Sequence, residues 1–251
     1  TDGTTGGYKL AGNTILYAST TNNTLAVGAS AAAGWMSASS TGWYSVAVGP
    51  GALATTPTNA LATENSALGY NALFSNTTGS GNTAIGYSAL SSNTTGSPNT
   101  AVGRSTLVAN TTGGYNVASG YNSLSANTTG GENSAYGAQT LAANTTGGKN
   151  IAFGRLSLLT ATSSSNQVAI GYGTLQNMIT GPSNDTEGNV ALGYNAGTAL
   201  TYGGANILLG YQAGDALTTG SNNLILGYDI DAPSATGNNQ LNIGNIIFGA
   251  N

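Results

Sequence analysis

Small apolar residues, β-branched residues and glycine alternate along this chain in a unit that keeps returning. Its clearest copy is Asn82-Thr83-Ala84-Ile85-Gly86-Tyr87, followed by Leu90 and the turn Asn93-Thr94-Thr95-Gly96. Side chains on a strand alternate between its two faces. Thr83, Ile85 and Tyr87 therefore share one face, and Ala84 and Gly86 share the other. The longest apolar runs, such as Ile207-Leu208-Leu209, are strand-sized, and the residues before each glycine are rich in β-branched types, as strands prefer. Asn-Thr-Thr-Gly recurs at 76–79, 93–96, 110–113, 127–130 and 144–147. Asn and Gly tolerate the left-handed backbone angles that tight turns require.

The repeat glycine stands at Gly28, Gly49, Gly69, Gly86, Gly103, Gly120, Gly137, Gly154, Gly171, Gly193, Gly210, Gly227 and Gly244. Successive spacings are 21, 20, six of 17, 22 and three of 17, so nine of the twelve are 17. That period is too short for two-helix repeats, which need about 33 residues or more. It suits one turn of a β-solenoid with two or three short strands. The prediction is an all-β, parallel β-solenoid of about thirteen coils, in which like residues lie over one another. Residues 21–244 form the repeat domain. Residues 1–20 are an N-terminal cap or junction, and 245–251 a C-terminal cap or junction to a removed domain.

Stacking turns each position into a row. The row before the glycine (Val27, Val48, Leu68, Ile85, Val102, Phe153, Ile170, Leu192, Leu209, Leu226, Ile243) is expected to line the interior, interrupted by Ser119 and Tyr136. A leucine row from Leu53 and Leu73 to Leu158 and Leu175 closes that interior from another wall. Ala holds the position two before the glycine in the first ten coils and gives way to Leu208, Ile225 and Asn242. A flat Ala/Gly stripe lets another backbone approach, which makes Ala67, Ala84, Ala101, Ala118, Ala135 and Ala152 candidates for a subunit interface. The competing reading is that they fit a narrow coil interior.

Composition excludes several functions. Charged residues are 5% of the chain and the net charge is −4. The four cations, Lys9, Arg104, Lys149 and Arg155, are too few and too scattered for a nucleic-acid surface or a polybasic membrane patch. No apolar run approaches the ~18 residues of a spanning helix, so no membrane insertion by this segment is expected. Without His or Cys, the Ser-His-Asp, Cys-His and His-metal chemistries are absent. Neither a catalytic residue nor a cofactor is expected. Among the eight acids, Asp185 with Glu187 and Asp229 with Asp231 are close pairs able to ligate Ca²⁺, although solvated loop acids read the same way.

Tyr follows the repeat glycine at Tyr70, Tyr87, Tyr121, Tyr172, Tyr194, Tyr211 and Tyr228, with Arg104 and Arg155 in the same row. This stripe is a candidate carbohydrate contact; alternatively the rings pack between coils, with the arginines in cation–π contact. Asn76, Asn93, Asn110, Asn127 and Asn144 lie in glycosylation sequons, or else form a turn ladder. Thr78, Thr95, Thr112, Thr129 and Thr146 form a hydroxyl row of the kind an ice-binding solenoid uses, one residue wide.

The units Asn-Ser-Ala-Leu-Gly-Tyr at 65–70, its relatives at 82–87 and 189–194, and Ser-Val-Ala-Val-Gly at 45–49 resemble the head repeats of trimeric autotransporter adhesins. That resemblance covers about residues 22–244 and implies a left-handed parallel β-roll assembled as a homotrimer. Those heads typically use about 14 residues per coil, against 17 here; the extra residues fall in the Asn-Thr-Thr-Gly turn. The C-terminal stretch from Asn222 to Gly249 resembles the region of phage tail fibres that precedes a self-cleaving intramolecular chaperone. Both resemblances imply a trimeric extracellular fibre on a cell surface or virion. It would act as rigid spacer and adhesive surface toward a host glycan or protein receptor. The alternatives are a carbohydrate-active or carbohydrate-binding tail fibre with sites between subunits, and an ice-binding solenoid.

Overall fold

The computed structural model describes residues 8–10, 13–19, 24–33, 44–55, 62–179 and 187–244. The chain divides into two compact units, Thr1–Thr129 and Gly130–Asn251. In the first, β1 (Tyr8–Leu10) and β2 (Asn13–Ser19) form an antiparallel hairpin, and β2 runs antiparallel to β3. Parallel strands follow: β3 (Thr24–Val27), β4 (Val46–Val48), β5 (Ser66–Leu68), β6 (Thr83–Ile85), β7 (Asn99–Val102) and β8 (Asn116–Ser119). The hairpin thus covers the edge that β3 would otherwise expose, where unpaired strands invite aggregation.

The second unit is parallel throughout: β9 (Ser134–Tyr136), β10 (Ile151–Phe153), β11 (Val168–Ile170), β12 (Val190–Leu192), β13 (Ile207–Leu209), β14 (Leu224–Leu226) and β15 (Leu241–Ile243). Pairing keeps the sequence repeat in register. Ile85 lies opposite Val102 and Phe153 opposite Ile170. Val168 still faces Val190, although 22 residues separate them. Each unit is therefore a β-solenoid built from the predicted repeat. The stretch 180–186 and the C-terminal 245–251 lie outside the described residues.

Each coil contributes one strand, fewer than the two or three expected. The other walls are hydrogen-bonded coil to coil without forming strands: Leu90 N–H donates to the Thr106 carbonyl (3.1 Å) and Thr94 N–H to that of Thr111 (3.0 Å). Left-handed residues bend these walls. Leu73, Leu90 and Leu107 have φ of 51°, 52° and 51°. A non-glycine residue in that region carries a conformational cost, offset here by burial: the row Leu53, Leu73, Leu90, Leu107, Leu124, Leu141, Leu158 and Leu175 is fully buried, each side chain worth about 1.5–3 kcal/mol.

Two amide ladders share the interior. In the first unit Asn82 N–H donates to Asn65 Oδ1 (3.0 Å), and Asn82 Nδ2 donates to the Gly96 carbonyl (3.0 Å). Asn99 and Asn116 repeat the pattern. In the second unit the same ladder passes through Gln167, whose Oε1 accepts from Asn189 N–H (3.2 Å). The other ladder belongs to the Asn-Thr-Thr-Gly turns. Asn93 Nδ2 donates to Asn76 Oδ1 (3.0 Å) and to the Gly96 carbonyl (3.0 Å). Asn76, Asn93, Asn110, Asn127 and Asn144 are fully buried. The sequon reading is therefore corrected: these amides are enclosed in the turn ladder and closed to a glycan.

The core exchanges its large side chains between walls in the second unit. Where the leucine row becomes Gly197 and Gly214, the alanine row becomes Leu208 and Ile225. A Cβ on Gly197 would meet Leu208 Cδ1 at 2.6 Å, and one on Gly214 would meet Leu208 Cδ2 at 2.9 Å. Leu208 occupies the space that the absent leucines vacate, so interior volume is conserved across the switch, as close-packed cores require.

Candidate functional site

Solenoid interiors are narrow, and this one is already filled by the leucine row and the two amide ladders. Room remains for a methyl group on the strand wall. Ala67, Ala84, Ala101, Ala118, Ala135 and Ala152 occupy it and are 0–1% exposed. They cannot form a subunit interface, and the narrow-interior reading is correct. Strand alternation then sends the row before the glycine outward. Phe153 is 56% exposed and Leu192 is 49% exposed, so the expectation that this row lines the interior is reversed.

The outward strand positions form two adjacent columns in each unit. On β9–β15 they are Ser134/Tyr136, Ile151/Phe153, Val168/Ile170, Val190/Leu192, Ile207/Leu209, Leu224/Leu226 and Leu241/Ile243. Thirteen of these fourteen side chains are apolar or aromatic. On β3–β8 the proportion is eight of twelve, because Ser66, Thr83, Thr100 and Ser119 intervene. Neither set contains a charged residue.

The tyrosine row borders these columns. Tyr172, Tyr194, Tyr211 and Tyr228 stack successively, with centroids 5.3, 5.3 and 4.9 Å apart and planes within 11° of parallel. Arg155 lies over Tyr172 at 5.8 Å. In the first unit Tyr70 stacks on Tyr87 at 5.1 Å, and Arg104 sits 5.8 Å from Tyr87 and 5.7 Å from Tyr121. The rings cover one another's faces, the surfaces a sugar would need. What the ladder presents is ring edges and hydroxyls, plus the terminal ring of Tyr228, 74% exposed. The phenol of Tyr211 is raised above its ordinary value, first by burial between its neighbours, then by Tyr228, Tyr194, Asp229 and Asp215.

Acidic residues serve local structure. Asp231 Oδ1 accepts from Ala216 N–H (2.9 Å), and Asp215 Oδ2 accepts from Gln212 Nε2 (3.0 Å). Burial first, then the nearby Asp231, raises the Asp215 carboxyl above its ordinary value. Asp185 lies outside the described residues; Glu187 accepts from Asn166 Nδ2 (3.1 Å). Among the described residues no group of three or more acids is placed to hold a metal ion. Glu132, Lys149, Asn166 and Glu187, with Thr146 and Ser165, line an open polar cleft of about 400 Å³. Sequence reasoning did not identify this cleft. Its signal is that Glu132, Lys149 and Asn166, each one before an amide of the ladder, are charged or polar on three consecutive coils.

In the threonine turns the first hydroxyl of each pair is consumed. Thr77, Thr94 and Thr111 donate Oγ1–H to the carbonyls of Thr94, Thr111 and Thr128 at 3.0–3.1 Å. One column of hydroxyls therefore remains. No family model, curated protein or solved structure matches the chain.

Proposed function

We propose that this chain is the non-catalytic, rigid body of an extracellular homotrimeric fibre, with the apolar strand face as the contact between copies. The exposed face carries this reading. At about 25 cal/mol per Å², the 1.5–3 kcal/mol for burying one apolar side chain corresponds to roughly 60–120 Å². Of the fourteen outward positions in the second unit, seven are 38–57% exposed and the others are half-buried, so the face presents roughly 200–650 Å². Monomers rarely leave contiguous apolar patches beyond a few hundred Å² uncovered, and a standard interface takes about 800 Å² from each partner. The columns are uncharged, so burying them desolvates no ion. Their rows repeat at the strand spacing of about 4.8 Å, which a further copy of the same chain matches row for row. The resemblance to adhesin head repeats supports both the trimer and the surface location.

Light scattering tests it. The expected mass is three times the 24.6 kDa of the chain. Replacing outward Leu192 and Leu226 by Lys should give folded monomers with an unchanged circular dichroism spectrum. A wild-type chain that stays monomeric at micromolar concentration overturns the proposal.

The polar cleft favours a second role, contact with a host-surface glycan. Carboxylates, an ammonium, an amide and hydroxyls converge there, offering both acceptors and donors to sugar hydroxyls. Binding to a polysaccharide panel that survives Glu132→Gln and Lys149→Met together would exclude this cleft as the site.

A further inference from the structure

A face that repeats every coil has a weakness. Slide one copy along another by one coil, about 4.8 Å, and the contacts are nearly the same. This is the axial counterpart of register slippage between featureless strands. From β11 onward both outward columns are interchangeable in this sense. One reads Val168, Val190, Ile207, Leu224, Leu241, and the other Ile170, Leu192, Leu209, Leu226, Ile243. Nothing in them distinguishes one level from the next.

Resting on the trimer reading, we propose that the aromatic pair Tyr136 and Phe153 sets the axial register of the three copies. In a three-fold assembly whose axis runs along the solenoid, every residue lies level with its own copies. The pair is the one interruption in the second unit's pre-glycine column. The two rings lie 5.5 Å apart, tilted by 32°. Both are exposed, Phe153 more than Tyr136. Ser134 and Ala138 flank Tyr136 on its own coil, where neighbouring coils carry Ile151 with Arg155 and Val168 with Tyr172. Tyr136 is thus a ridge between two low positions. In register, three rings meet at a level where the small flanks leave them room. One coil out of register, Tyr136 meets the Phe153 level, where Ile151 and Arg155 fill the flanks that Ser134 and Ala138 leave low, which is overpacking, and Phe153 meets the aliphatic Ile170 level and loses its aromatic contacts. The partner recognised is two further copies of this chain, and the recognised feature is these two successive layers.

Disulfide trapping reads the register. The chain has no cysteine, so Leu209→Cys and Leu226→Cys, on consecutive coils of the proposed contact column, can be made singly, mixed, co-refolded and oxidised. With the aromatic pair intact, 209–209 and 226–226 disulfides should predominate over the mixed 209–226 product. In the Tyr136→Val/Phe153→Ile background the mixed product should rise by about tenfold, while the mass stays trimeric. An unchanged product ratio in that background overturns the proposal, as does a trimer in which 226–226 disulfides do not form. A monomeric mass instead sinks the trimer reading, so the two failures are distinguishable. Both replacements restore the column's usual aliphatic type at outward positions, and circular dichroism checks that the coil is intact.

Discussion

Replacing Leu208 by Ala tests the exchange of large side chains between the walls of the second unit. Leu208 is fully buried, and its two methyl groups fill the space beside Gly197 and Gly214. Removing them leaves a cavity bounded on one side by glycines, which cannot fill it. A cost of about 3 kcal/mol or more is expected. The converse change, Gly197→Leu, restores the usual leucine but places its Cβ 2.6 Å from Leu208 Cδ1, an overpacking of about 1–3 kcal/mol. Gly197 has φ of 63°, close to the 49° of Leu175 in the same row, so the backbone already suits a leucine. The double variant gives the Gly193 coil the Ala-and-Leu arrangement of earlier coils, Ala191 with a leucine at position 197, and puts a leucine back into the space Leu208 leaves. It should be no less stable than either single variant, a coupling of about 3 kcal/mol. Urea unfolding at fixed chain concentration, followed by circular dichroism, measures all four proteins. Additive effects would refute the view that the two walls trade volume.

Gly86→Ala should cost at least about 2 kcal/mol, because φ is +137° and the new Cβ would lie 2.6 Å from the carbonyl carbon of Gly103 on the next coil. Gly188→Ala, at φ of +73° with nothing within 4 Å, should cost about 1 kcal/mol; equal losses of melting temperature would contradict the close-approach argument. Asn99→Leu breaks a buried ladder, removing the acceptor for Asn116 N–H (3.0 Å) and the donor to the Gly113 carbonyl (2.9 Å). About 2–4 kcal/mol should be lost, seen as faster amide exchange at Asn116. The raised Asp215 carboxyl holds its proton more tightly when folded than when unfolded. Its contribution is full below the ordinary carboxylate pKa and is lost as pH rises through the folded value. Asp215→Asn should therefore flatten melting temperature against pH across that acidic window; an unaltered profile excludes the assignment.

The period, the parallel pairing and the in-register stacking were legible because one constraint enforces all three: each coil's backbone must hydrogen-bond the same positions of the next. Which strand face points inward was not legible from alternation, which separates two faces without ranking them. Alanine and isoleucine alternate, and hydrophobicity alone places isoleucine in the core. The width of the interior decides otherwise. Asn82 and Ala84 share a face, and an amide at that place in nearly every coil is the mark of a buried ladder. The second cue was the joint change at Gly197 and Leu208, which only residues sharing one interior would show. The polar cleft depends on the left-handed residue before each ladder amide, with φ of 60° at both Glu132 and Lys149, and no strand or helix pattern reports that angle.

The in-register pairing of Val168 with Val190 across five surplus residues has a consequence for how such a chain can change. Length added between two coils is not transmitted to them. Whole repeats can be gained or lost one at a time, and extra loops can be carried at the seams without disturbing the stack on either side. Repeat number and seam insertions can therefore vary independently.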